Sequence, residues 1–337
     1  MEKKYSKDNL FKKTSLYKDL LELPINFVDI GARGDFFPLI NPISDIVKVI
    51  GFEPDKKAAL ELINKQKKNK SFAGFEVISE GLFNKKQKKK LFELSAKTNN
   101  SIFKPNYHFI DRYKMIKWII KNSSFINVDC LDKILKKQKQ VAEIIKIDTQ
   151  GSEYEILEGA KNTLKKTVCV IVEVSFCELY EKQKFFSEVE LLLRKNGFCF
   201  YGFNSFHNRS KKFLKKDNYK FRERIFQTDA IFFKDPFKSK VNFCTRDFQI
   251  LFLSALLNNF ADFAYEIAKV FLKKDYEILI RFVKKQVAYD YKQTIKEVEN
   301  LRKKIKANPK YANRYLGSFI DERRLNCDFK DIFNIKA

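Results

Sequence analysis

Residues Ile144 to Ala160 read IIKIDTQGSEYEILEGA. A short apolar run turns sharply at Gln150-Gly151 and continues as an amphipathic helix. Strand, acidic residue at the strand's carboxyl end, glycine turn, helix: in an open α/β sheet this order builds a ligand crevice. Ser152 followed three residues on by Glu155 predicts a capping box at the helix start. Asp148 would then point out of the carboxyl end of the strand, with Glu153 in the first helical turn behind it.

The flanking chain repeats the pattern. Residues 8–22 predict a helix with Leu10, Leu16, Leu20 and Leu21 inward, ended by Pro24, and Asn26 to Asp35 (NFVDIGARGD) reads as a buried strand entering a glycine turn. A strand over Val47 to Glu53 leads through Pro54-Asp55 into a helix over about Lys57 to Gln66. Ser71 to Phe83 is strand-like, Lys85 to Lys90 a charged turn, and the aromatic Asn100 to Lys121 an insertion or lid. A short strand at Phe125 to Asp129 and a helix at Leu131 to Lys137 precede the opening stretch. After it come a strand at Val168 to Val174, a helix over Phe185 to Asn196, and strands at Phe198 to Phe203 and Thr228 to Phe233. Strands alternating with helices imply βαβ units and a largely parallel sheet covered on both faces.

Composition shifts near Pro236, which divides the chain into an α/β domain, 1–236, and an all-α region, 237–337. In the latter Phe252, Leu256, Phe260, Phe263, Ile267 and Phe271 form one broad apolar face. Packing of that face on the first domain is the favoured expectation, a homodimer through these helices the alternative.

The 337 residues are 45% hydrophobic, enough for a sizeable core. No long uncharged apolar run appears, and the Lys-rich residues 1 to 20 lack the apolar segment of a secretory signal. The six cysteines form no CxxC pair and only His108 and His207 are present, so no structural zinc site is expected. Cysteines inside apolar strands suit a reducing, cytoplasmic compartment. A net charge of +25 raises nucleic acid as a partner, but the lysines are spread through the chain.

The chemistry starts at Asp29-Ile30-Gly31-Ala32-Arg33-Gly34, a strand-end turn where glycine lets a ligand approach bare backbone. Glu53 ends the next strand, where a Rossmann-like fold places the carboxylate that accepts from the ribose hydroxyls. A dinucleotide site needs a glycine-rich turn opening directly into a helix that faces the pyrophosphate. Here Asp29 replaces the first glycine and Pro38 and Pro42 disturb any helix after the turn. A carboxylate at that spot repels a pyrophosphate and suits the amino group and sulfonium of S-adenosylmethionine.

VDIGARGD, IGFEPD (Ile50 to Asp55), IKIDTQGSEYEILEGA and IVEVSF (Ile171 to Phe176) together resemble the successive motifs of FkbM-type methyltransferases. NNSIFKP at Asn99 to Pro105, VDCLDKIL at Val128 to Leu135 and DAIFFKD at Asp229 to Asp235 agree. The resemblance covers about residues 25 to 236, and Gln150 stands where the family often has Glu. It implies a Rossmann-like class I methyltransferase fold, a seven-stranded, mostly parallel sheet with an antiparallel last strand. It implies S-adenosylmethionine as cofactor and O-methylation of sugars, polysaccharides or related metabolites. Asp29, Gly31, Ala32, Arg33 and Gly34 would surround the methionine part, Glu53 the ribose, and Glu80, Gly81 and Leu82 the adenine. Asp148 would lie under the methyl-transfer point.

A base that removes the acceptor's proton would come from Asp148, Glu173 or His207, with Glu153 beside the acceptor. The connection Asn204 to Gln227, far longer than a hairpin loop, carries Arg209, Lys211, Lys212, Lys215, Lys216, Lys220, Arg222 and Arg224 against Asp217 and Glu223. Arg209, Lys211 and Lys212 are therefore expected to grip an anionic acceptor. An RNA methyltransferase and a non-catalytic S-adenosylmethionine-binding module are the alternatives. No metal is required by the spacing.

Overall fold

Eleven strands appear among the described residues of the computed structural model, which are 5–69, 71–204, 206–211, 213–214, 222–238, 242–288 and 291–321. They are β1 (Ile25–Ile30), β2 (Val47–Phe52), β3 (Gly74–Ile78), β4 (Gly81–Leu82), β5 (Gln87–Leu94), β6 (Ile120–Asp129), β7 (Ile144–Ile147), β8 (Cys169–Ser175), β9 (Cys199–Phe203), β10 (His207–Arg209) and β11 (Arg224–Phe233). The main sheet runs β3-β2-β1-β7-β8-β11, with β9 and β10 both paired to β11. β3, β2, β1, β7 and β8 are mutually parallel, and β11 runs antiparallel to β8 and to β9.

The central strands are almost wholly buried because helices cover both faces, as a parallel sheet requires. Side chains alternate along a strand, so each strand feeds two cores. Phe27, Val49, Ile144, Ile171 and Phe233 point to one core with Leu16, Leu20, Ile40 and the helices Thr245–Leu257, Ala261–Phe271 and Tyr276–Val287. Val28, Ile50, Ile145, Val170 and Phe232 enter the other, with Leu131, Leu157, Leu164, Val189 and Leu193. Arg246 pins the first of those three helices to the start of β1. Its guanidinium donates to the carbonyls of Leu23 (2.8 Å) and Pro24 (2.9 Å) and pairs with Glu143, which accepts the Asn26 amide at 2.9 Å.

The compact units therefore do not divide at 236/237. One comprises residues up to Asn208 together with Ile225–Val287; the other comprises Arg209–Arg224 and the residues from Ala288 onward. Phe252, Leu256 and Ile267 are buried in the core just described, which is why the first three C-terminal helices belong with the sheet.

Other expectations are corrected locally. The helix over 8–22 is two, Asn9–Lys12 and Ser15–Glu22, because Thr14 caps the second through the Tyr17 amide. Phe11 is buried there, while Leu21 is exposed. The charged turn Lys85 to Lys90 is mostly β5, and the short strand at Phe125 is ten-residue β6. Together with β4 they form a three-stranded side sheet. No capping box forms at Ser152: its side chain makes no cap bond to the helix Glu153–Glu158. Among the described residues no helix is long and apolar enough to cross a membrane.

Candidate active site

The register of the sheet sets Asp29 beside Gly51 and Lys146, and Ile30 beside Phe52 and Ile147. The turn after β1 therefore lies against the turn after β7. Gly31 (φ 92°) makes this contact: a Cβ there would sit 1.9 Å from the Asp148 carbonyl oxygen. The Gly31 and Ala32 amides both donate to the Phe52 carbonyl, at 3.0 and 3.1 Å. Glycine is required at residue 31 for both reasons, left-handed backbone and absent side chain.

Over these carboxyl ends opens a cleft of about 670 Å³, part of it open to solvent. Of the residues expected at the donor site, Gly31, Arg33, Glu53, Glu80, Gly81, Leu82 and Asp148 line it. Asp29, Ala32 and Gly34 do not. Asp29 is buried and accepts the Phe37 N–H at 2.7 Å, and burial pushes its carboxyl up to about 7. Ala32 lies in the core, and the Gly34 carbonyl accepts from Lys65 Nζ at 3.1 Å.

Glu53 is nearly buried, and its Oε1 accepts from the Asp55 amide at 2.9 Å and from Arg33 Nη2 at 3.2 Å. Burial raises its pKa against the opposing pull of Arg33. Oε2 bonds no described residue. Apolar surface from Ile30, Phe52 and Leu82 completes this end. A carboxylate with a spare oxygen beside apolar walls fits the ribose and adenine of S-adenosylmethionine. The far wall comes from β5 and β6 (Leu91, Ile126, Val128) and from Lys97, Thr98, Asn100, Ser101 and Ile102. NNSIFKP carries the signal in the sequence; the side sheet of β4, β5 and β6 brings this segment to the cleft, with Phe92 of β5 bridged to Ser101.

The floor is the turn after β7. Gln150 takes left-handed backbone (φ 61°) and Gly151 follows at φ 117°. The Gln150 carbonyl accepts from Ser101 Oγ at 2.6 Å. Its side-chain amide donates to Asp148 Oδ1 (2.8 Å) and Glu173 Oε2 (2.9 Å), and its Oε1 accepts from Tyr180 (3.1 Å). Gln227 donates to the other oxygen of Glu173. Burial raises the Glu173 pKa well above the carboxylate range, reinforced by Asp148 and Glu153. Behind the floor, buried Lys146 pairs with Asp229 at 2.7 Å. Burial opposes its charge, but Asp148 and Asp229 outweigh that and raise its pKa.

Glu153 is not available to an acceptor as expected. Its buried carboxylate accepts the amides of Thr149 (2.9 Å) and Gly151 (3.0 Å), tying the turn together from the helix start. Glu173 stands behind Gln150 and does not line the cleft. His207 is exposed, its ring 6.0 Å from that of Phe226, and is not a lining residue either; His108 is also exposed. Lys211 is exposed with its ammonium 5.6 Å from the Phe213 ring, and Arg209 is half-buried in β10. Lys212, Lys215, Lys216 and Lys220 lie outside the described residues. No group of three or more His, Cys, Asp or Glu that could hold a metal occurs among the described residues.

This strand order, with its antiparallel β11 and its cleft over the ends of β1, β2 and β7, defines a Rossmann-like class I methyltransferase. Residues 29–200, just over half the chain, match the methyltransferase FkbM domain, and the chain belongs to that family. It is an S-adenosylmethionine-dependent methyltransferase. No curated protein sequence matches it.

Solved structures with a similar fold include magnesium protoporphyrin IX methyltransferase from Synechocystis PCC 6803 with bound S-adenosylmethionine. It is 12% identical, with 66% of this chain and 77% of that one covered and a TM-score of 0.33. A putative tRNA (m1A22) methyltransferase from Streptococcus pneumoniae is 10% identical, covering 81% and 99%, with a TM-score of 0.34. Precorrin-6y C5,15-methyltransferase from Geobacter metallireducens GS-15 is 11% identical, covering 66% and 86%, at 0.33. Likeness at this level says nothing about the acceptor.

Proposed function

We propose that the protein methylates a hydroxyl group of a sugar, glycan or related metabolite, with Asp148 accepting the hydroxyl proton. The observation that carries this reading is the half-buried Asp148 carboxylate on the cleft floor. Gln150 fixes Oδ1 at 2.8 Å, while Oδ2 bonds no described residue. An alcohol is a poor nucleophile, and a positioned base adds about 10²–10⁴ to its rate.

The cofactor supplies a methyl group on a positively charged sulfur. Glu53 would hold the ribose, Ile30, Phe52 and Leu82 the adenine, and the Gly31 turn would admit the chain close to backbone. Glu173 acts one step back. It orients the Gln150 amide, which in turn orients Asp148, so it is a positioning residue. Lys146 keeps Asp229 paired and balances part of the acidic floor from behind. Aligning donor and acceptor over this floor supplies much of the remaining acceleration.

An anionic acceptor is favoured by the basic stretch Arg209 to Arg224. The test is transfer of a labelled methyl group to neutral oligosaccharides, uronic-acid oligosaccharides, sugar nucleotides and RNA. Alkali-stable methyl ethers on a sugar are the expected product. Label that is released by alkali as a methyl ester, or that appears on RNA alone, contradicts the proposal.

A further inference from the structure

The ribose carboxylate assigned above does not stand alone in the cleft. Asp55 is fixed first: its Oδ1 accepts the amides of Lys57 (3.0 Å) and Ala58 (3.2 Å) at the start of the helix Lys56–Asn69. Its Oδ2 then receives Arg33 Nη2 at 2.8 Å, and the same nitrogen reaches Glu53 Oε1 at 3.2 Å. Arg33 comes from the turn after β1 and its side chain is largely buried. The Asp55 amide completes the set on Oε1 at 2.9 Å. One oxygen of Glu53 is thus held by two donors while the other is left to the cleft.

We infer that Arg33 is a positioning residue for methyl-donor recognition, holding Glu53 ionised and oriented so that its free oxygen accepts from the ribose hydroxyls. The inference rests on the assignment of Glu53 to the ribose. A carboxylate taken out of water favours its neutral form, and a neutral carboxyl must spend one oxygen as a donor. Glu53 faces this cost because it is nearly buried. The charged groups against it are Arg33 and Asp55, with Glu80, Lys97 and Asp148 elsewhere on the cleft wall. Of the two cations Arg33 is the one paired with Glu53. A charge-assisted bond to a guanidinium offsets the burial and fixes the carboxylate plane. Asp55 anchors the guanidinium, so helix start, Asp55, Arg33 and Glu53 form one chain of contacts.

The test is binding of S-adenosylhomocysteine, adenosine and 2′,3′-dideoxyadenosine by calorimetry between pH 5 and 8. Wild type, Arg33→Gln, Arg33→Lys, Asp55→Asn and Glu53→Gln are compared, each checked for folding by its thermal melt. Arg33→Gln is expected to weaken adenosine binding about tenfold near neutral pH. The loss should deepen on acidification and begin at higher pH than in wild type, because Glu53 then takes up its proton more readily. Dideoxyadenosine, which lacks both hydroxyls, should bind the two proteins equally. Arg33→Lys should keep the wild-type pH profile, and Asp55→Asn should show a smaller loss of the same kind. Should Arg33→Gln fail to fold, Asp55→Asn and Arg33→Lys carry the same pH test. Equal binding of adenosine by the variants at every pH, an equal loss with dideoxyadenosine, or tighter binding after removal of Arg33 overturns the inference. Failure of the wild-type protein to bind any of the three ligands overturns the donor-site assignment itself.

Discussion

The ribose end of the cleft and its transfer end lie over the same sheet edge, yet they are held by different means. At the ribose end, Gly31, Arg33, Glu53 and Asp55 come from two adjacent turns, and local backbone and one guanidinium fix them. At the transfer end, Asp148 depends on partners from distant parts of the chain. Gln150, Glu173, Tyr180, Lys146 and Asp229 come from β7 and its turn, β8, the segment after β8, and β11. The first arrangement is cheap to specify in sequence and tolerant of change elsewhere. The second is a buried polar network in which every member is felt by the others.

The two ends meet at Gly31, where the comparison breaks most severely. Gly31→Ala places a methyl 1.9 Å from the Asp148 carbonyl in left-handed backbone. A loss above about 4 kcal/mol in chemical denaturation, or no folded protein at all, is expected. A melt close to wild type would show that the two turns part easily.

Lys146→Met probes the transfer end alone. It leaves Asp229 with no buried cation and exposes Asp148 and Glu173 to each other. Breaking a buried pair by removing one partner costs about 3–5 kcal/mol. The loss should be largest near neutral pH and shrink in acid as the carboxylates take up protons. Equal losses at both pH values would argue against an electrostatic role.

Asp29 gives the smallest effect, read from pH dependence. Its folded carboxyl holds a proton up to about 7, whereas the unfolded chain releases it near pH 4. Between these values the folded state binds more protons, so wild-type stability falls as pH rises from 4 to 7. Asp29→Asn can still accept the Phe37 N–H and has nothing to titrate. The wild-type minus variant difference should decline by a few kcal/mol, about 4 at most, across that window. Parallel stability curves for the two proteins would contradict the burial argument.

How much of this was legible follows the same division. Gly31 and Arg33 of the glycine turn, Glu53, and Asp148 lie in contiguous stretches of sequence, and all four line the cleft. In sequence Arg33 is only one residue of its turn; its grip on Glu53 and Asp55 needs the register of β1 with β2. A helix-start glutamate can face a ligand or its own backbone, and Glu153 takes the second course, tying Thr149 and Gly151. In sequence Asp29 suits the sulfonium, but the chain folds back at Phe37 and takes its carboxylate inward. Lys88 and Lys90, exposed on β5, give this part of the side sheet the sequence of a charged turn. Gln150 is the most informative departure from the family pattern. Its amide donates to two carboxylates at once, which a glutamate side chain could not do while ionised.

The central claim is that Asp148 accepts the proton from the acceptor hydroxyl, and single-turnover methyl transfer by Asp148→Asn measures it directly. With an acceptor identified by the labelling experiment, the rate should fall by about 10²–10⁴. Affinity for S-adenosylhomocysteine, measured alongside by calorimetry, should stay within a few-fold of wild type. A variant that binds the ligand and transfers methyl at the wild-type rate would contradict the account.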